Sequence, residues 1–138
     1  MRVEAFLCDA ANVREGLLNI LSAGVTRLKR SSFPAPLGLQ LAMVMTLMPV
    51  EAHTPHKLRV VIQGQDGGKV AELDGQFGVA EIPATFQPGE PIAIPMVLDL
   101  KLAPIPSPGT YSVEVLVDTQ LAKSLPFLVS KEEVPSNP

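Results

Sequence analysis

Fourteen prolines and ten glycines divide this chain of 138 residues at short intervals. That punctuation constrains the fold more than any other feature. The intervening runs of six to twelve residues alternate apolar and polar side chains with period two, as strands of a β-sandwich or barrel do. Ile92 to Leu102 is the clearest run: Ile92, Ile94, Met96, Leu98, Leu100 and Leu102 share one predicted face. Pro95 interrupts it and has no N–H for a ladder, so that strand is expected at a sheet edge or bulged there.

The same pattern recurs along the chain. Leu58, Val60 and Ile62 alternate with Lys57, Arg59 and Gln63, and Gly64-Gln65-Asp66-Gly67-Gly68 then reads as a hairpin turn leading into Lys69 to Asp74. Ser107-Pro108-Gly109 is a corner that opens a closing hairpin. Tyr111, Val113, Val115 and Val117 are predicted to share a face on its first strand, and Leu121, Leu125, Phe127 and Val129 on its second. Tyr111 reads as a core anchor whose hydroxyl bonds backbone near the corner, as in a tyrosine corner. The expectation is an all-β protein: an Ig-like or C2-like antiparallel sandwich of about seven to nine strands, one domain over residues 1–130. Residues 131–138 read as a disordered tail.

Two segments resist simple alternation. Residues 10–30 fit a helical stripe through Val13, Leu17, Ile20, Leu21, Val25 and Leu28, but Gly16 and Gly24 interrupt it. Strands at Leu17 to Ser22 and Val25 to Lys29, preceded by a loop from Ala10 to Glu15, fit better. Gly75 to Pro91 carries no sustained period and reads as a crossover, with a short strand near Gln76 to Glu81.

At Phe6, Asp9, Gly16, Leu18, Asn19 and Gly24, and later at Gly109, Tyr111 and Asp118, the chain resembles an uncharacterised family of small bacterial proteins. Members share an opening strand ending in Asp, a Gly-x-Leu-Asn hairpin and a closing Gly-x-Tyr strand. The resemblance covers most of the chain and implies a β-sandwich and a bacterial origin. It implies no catalytic or binding residue.

Composition narrows the function. Net charge is −3, with a single basic cluster at Arg27, Lys29 and Arg30, and the chain has no Trp and one Tyr. Nucleic-acid binding calls for a basic face, and single strands also call for stacking aromatics, so that class is not expected. One cysteine excludes an intrachain disulfide, and Cys8 reads as a buried thiol. The N-terminus shows no pattern of a secretory leader, and Leu37 to Val50 is too short and interrupted to span a bilayer, which predicts a cytoplasmic protein without membrane contact.

Chemistry-bearing motifs are sparse. Glu51, His53 and His56 form the one cluster that could hold a metal, weighed against a solvated loop between Pro49 and Pro55. Asp66, Asp74 and Asp118 are isolated turn residues rather than a calcium site. No nucleophile elbow or phosphate loop occurs, so neither an enzyme nor a cofactor is expected. Leu39 to Met48 is apolar on both faces, which marks either a covered central strand or an interface. Met43, Met45 and Leu47, or Val44 and Met48 on the other face, are the interface candidates. The expected function is non-enzymatic protein contact, by self-association or with a partner. A small-ligand or metal-binding sandwich and a component of a larger particle are the alternatives.

Overall fold

The computed structural model describes residues 1–79 and 81–133. These residues form twelve strands and one helical turn. In chain order they are β1 Arg2–Cys8, β2 Ala10–Arg14, β3 Leu17–Leu21, β4 Arg27–Arg30, β5 Ala35–Pro36, β6 Gln40–Leu47, α1 Pro49–Ala52, β7 His56–Gly64, β8 Lys69–Phe77, β9 Ile92–Asp99, β10 Pro104–Ile105, β11 Gly109–Val117 and β12 Gln120–Lys131. A three-stranded sheet has the order β1-β6-β9, and a five-stranded sheet the order β4-β12-β11-β7-β8. The pairs β2-β3 and β5-β10 stand beside them.

The inner faces of the two larger sheets meet in one core. Ala5, Leu7, Leu41, Met43, Met45 and Leu47 come from the first, and Leu58, Val60, Ile62, Val113, Val115 and Phe127 from the second. Period-two alternation produces this directly: in β11 the residues Tyr111, Val113, Val115 and Val117 are buried while their neighbours are not. Tyr111 Oη donates to the Ser107 carbonyl at 2.5 Å, and its ring stacks on Phe127 with centroids 5.6 Å apart. Pro95 lies in β9, at the edge of its sheet, where a missing donor breaks no ladder.

Several expectations need correction. Leu121 is 60% exposed, because Val115 pairs with Lys123 but Leu116 with Leu121. That bulge adds one residue on β12 and turns Leu121 to the outer face. Leu102 is 88% exposed because β9 ends at Asp99 and the chain turns at Lys101. The expected loop from Ala10 to Glu15 is strand β2, paired in register with β3. Its two-residue turn, Glu15-Gly16, has φ of 53° and 73°, the both-positive geometry of a type I′ hairpin. Strand β4 starts at Arg27 rather than Val25 and pairs parallel with β12, so the five-stranded sheet is not antiparallel throughout. The expected loop tip after Pro49 is α1, with proline at its start. Strand β8 extends to Phe77, and the described residues from Gly78 to Pro91 contain no strand. Of the expected tail, 134–138 lies outside the described residues, while β12 continues to Lys131.

Candidate functional site

The apolar strand β6 is central in its sheet. Met43, Met45 and Leu47 are fully buried and face the five-stranded sheet, so they are core and not interface. The sequence could not separate these roles, because a buried methionine and a contact methionine look alike in a period-two run. On the opposite face Ala42 is also buried, Val44 is half-buried and Met48 is 45% exposed. The β2–β3 hairpin packs over this face, touching β6 and β9. Gln40 fixes it there: its Oε1 accepts from Ala11 N–H at 2.8 Å. The Asp9 N–H also donates to the Leu21 carbonyl at 3.1 Å.

The hairpin's own two faces differ. Ala11, Leu18 and Ile20 are half-buried, while Leu17, Asn19 and Leu21 project from the other side. Asn19 Nδ2 donates to Asn12 Oδ1 across the pair at 3.0 Å. Leu17 and Leu21 flank that bond at 69% and 67% exposure, and Phe6 on the outer face of β1 is 45% exposed. Isolated surface leucines are ordinary; here two lie on the same outward face of one hairpin. The expected strand Leu17 to Ser22 and the Gly-x-Leu-Asn hairpin at Gly16, Leu18 and Asn19 were the sequence signals for this arm.

A second cluster lies at the end of the sheets where α1 meets the β11–β12 turn. His56 Nδ1 donates to Asp118 Oδ2 at 2.6 Å, and Nε2 donates to the Glu51 carbonyl at 2.6 Å. Both partners are acceptors, so the arrangement favours the doubly protonated ring. Its pKa is raised above 6.5, first by the Asp118 bond and then by the Glu51 carbonyl, with burial opposing. Asp118 is lowered in turn, chiefly by His56 and then by the Lys57 N–H. Glu51 is lowered by the Met48 N–H and by the N-terminal amine 3.1 Å away. Phe77 stacks on the imidazole at 5.5 Å.

This clasp holds a strained corner. Asp118 and Thr119 have φ of 50° and 71°, and positive φ is costly for a β-branched residue such as Thr119. It also settles the placement of the metal candidates. Glu51 and His56 are occupied in the clasp, where both ring nitrogens of His56 already have partners. His53 is exposed and takes no part in it. Among the described residues no three His, Cys, Asp or Glu side chains are grouped to hold a metal.

Asp66 is a turn residue as expected, whereas Asp74 lies within β8 and pairs across to β7. Asp66 accepts from Gly68 N–H at 2.9 Å and Asp74 from Arg59 at 2.8 Å. Cys8 is buried with its thiol 3.4 Å from the Gln40 carbonyl, and burial, then the charge of Asp9, pushes its pKa up. An open cleft of about 600 Å³ lies over Lys57, Arg59, Asp74, Gln76, Leu116 and Thr119. The Arg59 guanidinium there is already answered by Glu72 and Asp74. Among the described residues no helix is long and apolar enough to cross a membrane.

Residues 4–130 match DUF6941, a family of unknown function, and the chain belongs to that family. No curated protein matches the chain.

Proposed function

We propose that this member of the family is a non-enzymatic binding module with an Ig-like sandwich, acting through protein contacts in the cytoplasm. The strand order supports the Ig-like reading. β1-β6-β9 corresponds to an A-B-E sheet and β12-β11-β7-β8 to G-F-C-C′, with Tyr111 at the start of the F-equivalent strand bonded back to Ser107. A free, buried cysteine fits a reducing compartment.

The observation that carries the contact reading is the β2–β3 arm, with Leu17 and Leu21 exposed on one face. Leaving such leucines in water forgoes burial worth about 1.5–3 kcal/mol each, which a protein partner recovers. The occupied ring nitrogens of His56 and the buried Cys8 leave the obvious chemical groups without a catalytic arrangement, which favours contact over reaction.

The test is hydrophobic-dye fluorescence of the purified chain beside a Leu17→Ser, Leu21→Ser variant of unchanged melting temperature. The reading expects a clear signal from the native chain and its loss in the variant. A dye-silent native chain, or a signal the variant retains, contradicts it.

A further inference from the structure

The five-stranded sheet ends in two strands of opposite charge. β4 carries Arg27 and Lys29 on its outer face, and β8 carries Glu72 and Asp74 on the same face. Among the described residues, neither strand pairs on its far side. Open edges are usually guarded by like charge. Here each edge repels its own kind but complements the other.

Backbone phase agrees with the charges. Leu128 N–H donates to the Thr26 carbonyl and Glu132 N–H to the Arg30 carbonyl, so even-numbered residues of β4 bond β12. The N–H and C=O groups of Arg27 and Lys29 therefore turn outward. Asp118 N–H donates to the Lys57 carbonyl and Gly64 N–H to the Gly68 carbonyl, so odd-numbered residues of β7 bond β11 and even-numbered ones bond β8. With Leu58 opposite Gly75 and Val60 opposite Leu73, the outward groups of β8 belong to Glu72, Asp74 and Gln76. The outward-turned backbone groups thus include those of the charged residues on both edges.

Direction and side-chain facing agree too. β4 runs with β12, and the steps β12-β11, β11-β7 and β7-β8 are each antiparallel, so β4 and β8 run opposite ways. A second copy displaced across the sheet brings its β4 antiparallel to β8. Arg27 then faces Asp74 and Lys29 faces Glu72 as hydrogen-bonded pairs. Leu28 meets Leu73, which is 41% exposed in the single chain, as the closer non-hydrogen-bonded pair. A one-residue slip would place charges against the core side, and a two-residue slip would keep only one of the two charge pairs, so this register is favoured.

We propose that copies of this chain join edge to edge, β4 of one against β8 of the next, continuing the five-stranded sheet from molecule to molecule. The contact is heterologous and leaves one edge free at each end, so assembly proceeds to rings or filaments rather than stopping at a dimer. Glu72 also holds Lys69 and Arg59 within its own chain, and Asp74 holds Arg59. The Lys29 carbonyl accepts from Arg30 Nη1 and keeps a second lone pair. The incoming cations therefore add to a partly neutralised edge, and the association is weak and salt-sensitive. The inference goes beyond the contact role of the β2–β3 arm and names a second copy as a partner on a different surface.

Sedimentation equilibrium at low and high salt is the test. The native chain should exceed its 14.7 kDa monomer mass as concentration rises, and salt should reverse this. Arg27→Glu with Lys29→Glu should be monomeric, as should Glu72→Lys with Asp74→Lys. Mixing the two variants should restore assembly, since each then supplies the edge the other needs. Lys29→Pro, which removes an outward donor without touching the β12 ladder, should weaken assembly even if a charge-reversed variant fails to fold. The Leu17→Ser, Leu21→Ser variant should assemble like the native chain. A native chain that stays monomeric at every concentration in low salt overturns the proposal, as does assembly that survives Arg27→Glu with Lys29→Glu. Neither result alters the dye signal expected of the arm.

Discussion

Replacing Tyr111 by Phe isolates one atom on which the closing hairpin depends. The ring is 5% exposed and stacks on Phe127, and both features survive the change. What is lost is the bond from the hydroxyl to the Ser107 carbonyl at 2.5 Å. Ser107 is exposed, so its carbonyl can turn to water and the penalty for an orphaned acceptor is small. The expected cost is that of a neutral hydrogen bond, about 1 kcal/mol. For a domain of this size that corresponds to a melting temperature lower by roughly 3–5 °C. Tyr111→Ala also removes the ring from the core and should cost about 3–5 kcal/mol. Urea titration followed by circular dichroism gives both values, and equal m-values show that the two variants unfold from comparable states. A Phe variant as stable as the native chain refutes the corner bond as a stabilising contact. A Phe variant as damaged as the Ala variant refutes the separation of hydroxyl from ring.

Three further outcomes follow from the same geometry. His56 has a raised folded pKa, so its contribution is complete below about 6.5 and is lost as pH rises through the folded value. The lowered Asp118 contributes above its unfolded value of 3.8 and loses that contribution as pH falls. Melting temperature should therefore decline from neutral into alkaline pH, and Asp118→Asn should flatten the decline. Met43→Ala, at a fully buried site, should cost about 2–5 kcal/mol in a chemical melt, whereas Met48→Ala should stay within about 0.5 kcal/mol. Cys8 should react with a thiol reagent only after unfolding, since its thiol is buried and held protonated.

Much of the fold was legible because its code is local. Alternation in Tyr111 to Val117 and in Leu58 to Ile62 places each residue on its observed face. Pro95 at a sheet edge follows from its missing donor. The errors have equally local causes. A bulge beside Leu116 turned Leu121 outward, and no residue type announces a bulge in the middle of an apolar run. The arm was half-missed because Ala10 to Arg14 lacks a strong strand pattern, and the Glu15-Gly16 turn closes with a non-glycine at positive φ. The candidate site was harder to read than the fold. Met43 and Met48 are indistinguishable by composition, and only the sheet order separates core from surface. His56 and Asp118 are 62 residues apart, so their pairing depends on β7 lying beside β11. The basic cluster at Arg27, Lys29 and Arg30 stood out in the sequence, whereas Glu72 and Asp74 did not. Their meaning depended on both strands being edges of one sheet.

The claim that this protein works through contact is tested most directly by site-specific photo-crosslinking in cells. A photoreactive residue at Leu17 or Leu21, both on the exposed face of the arm, should give a discrete protein adduct. The same residue at Lys101, in the exposed turn after β9, should give none. Adducts absent from both arm positions, or equally abundant at Lys101, contradict the account.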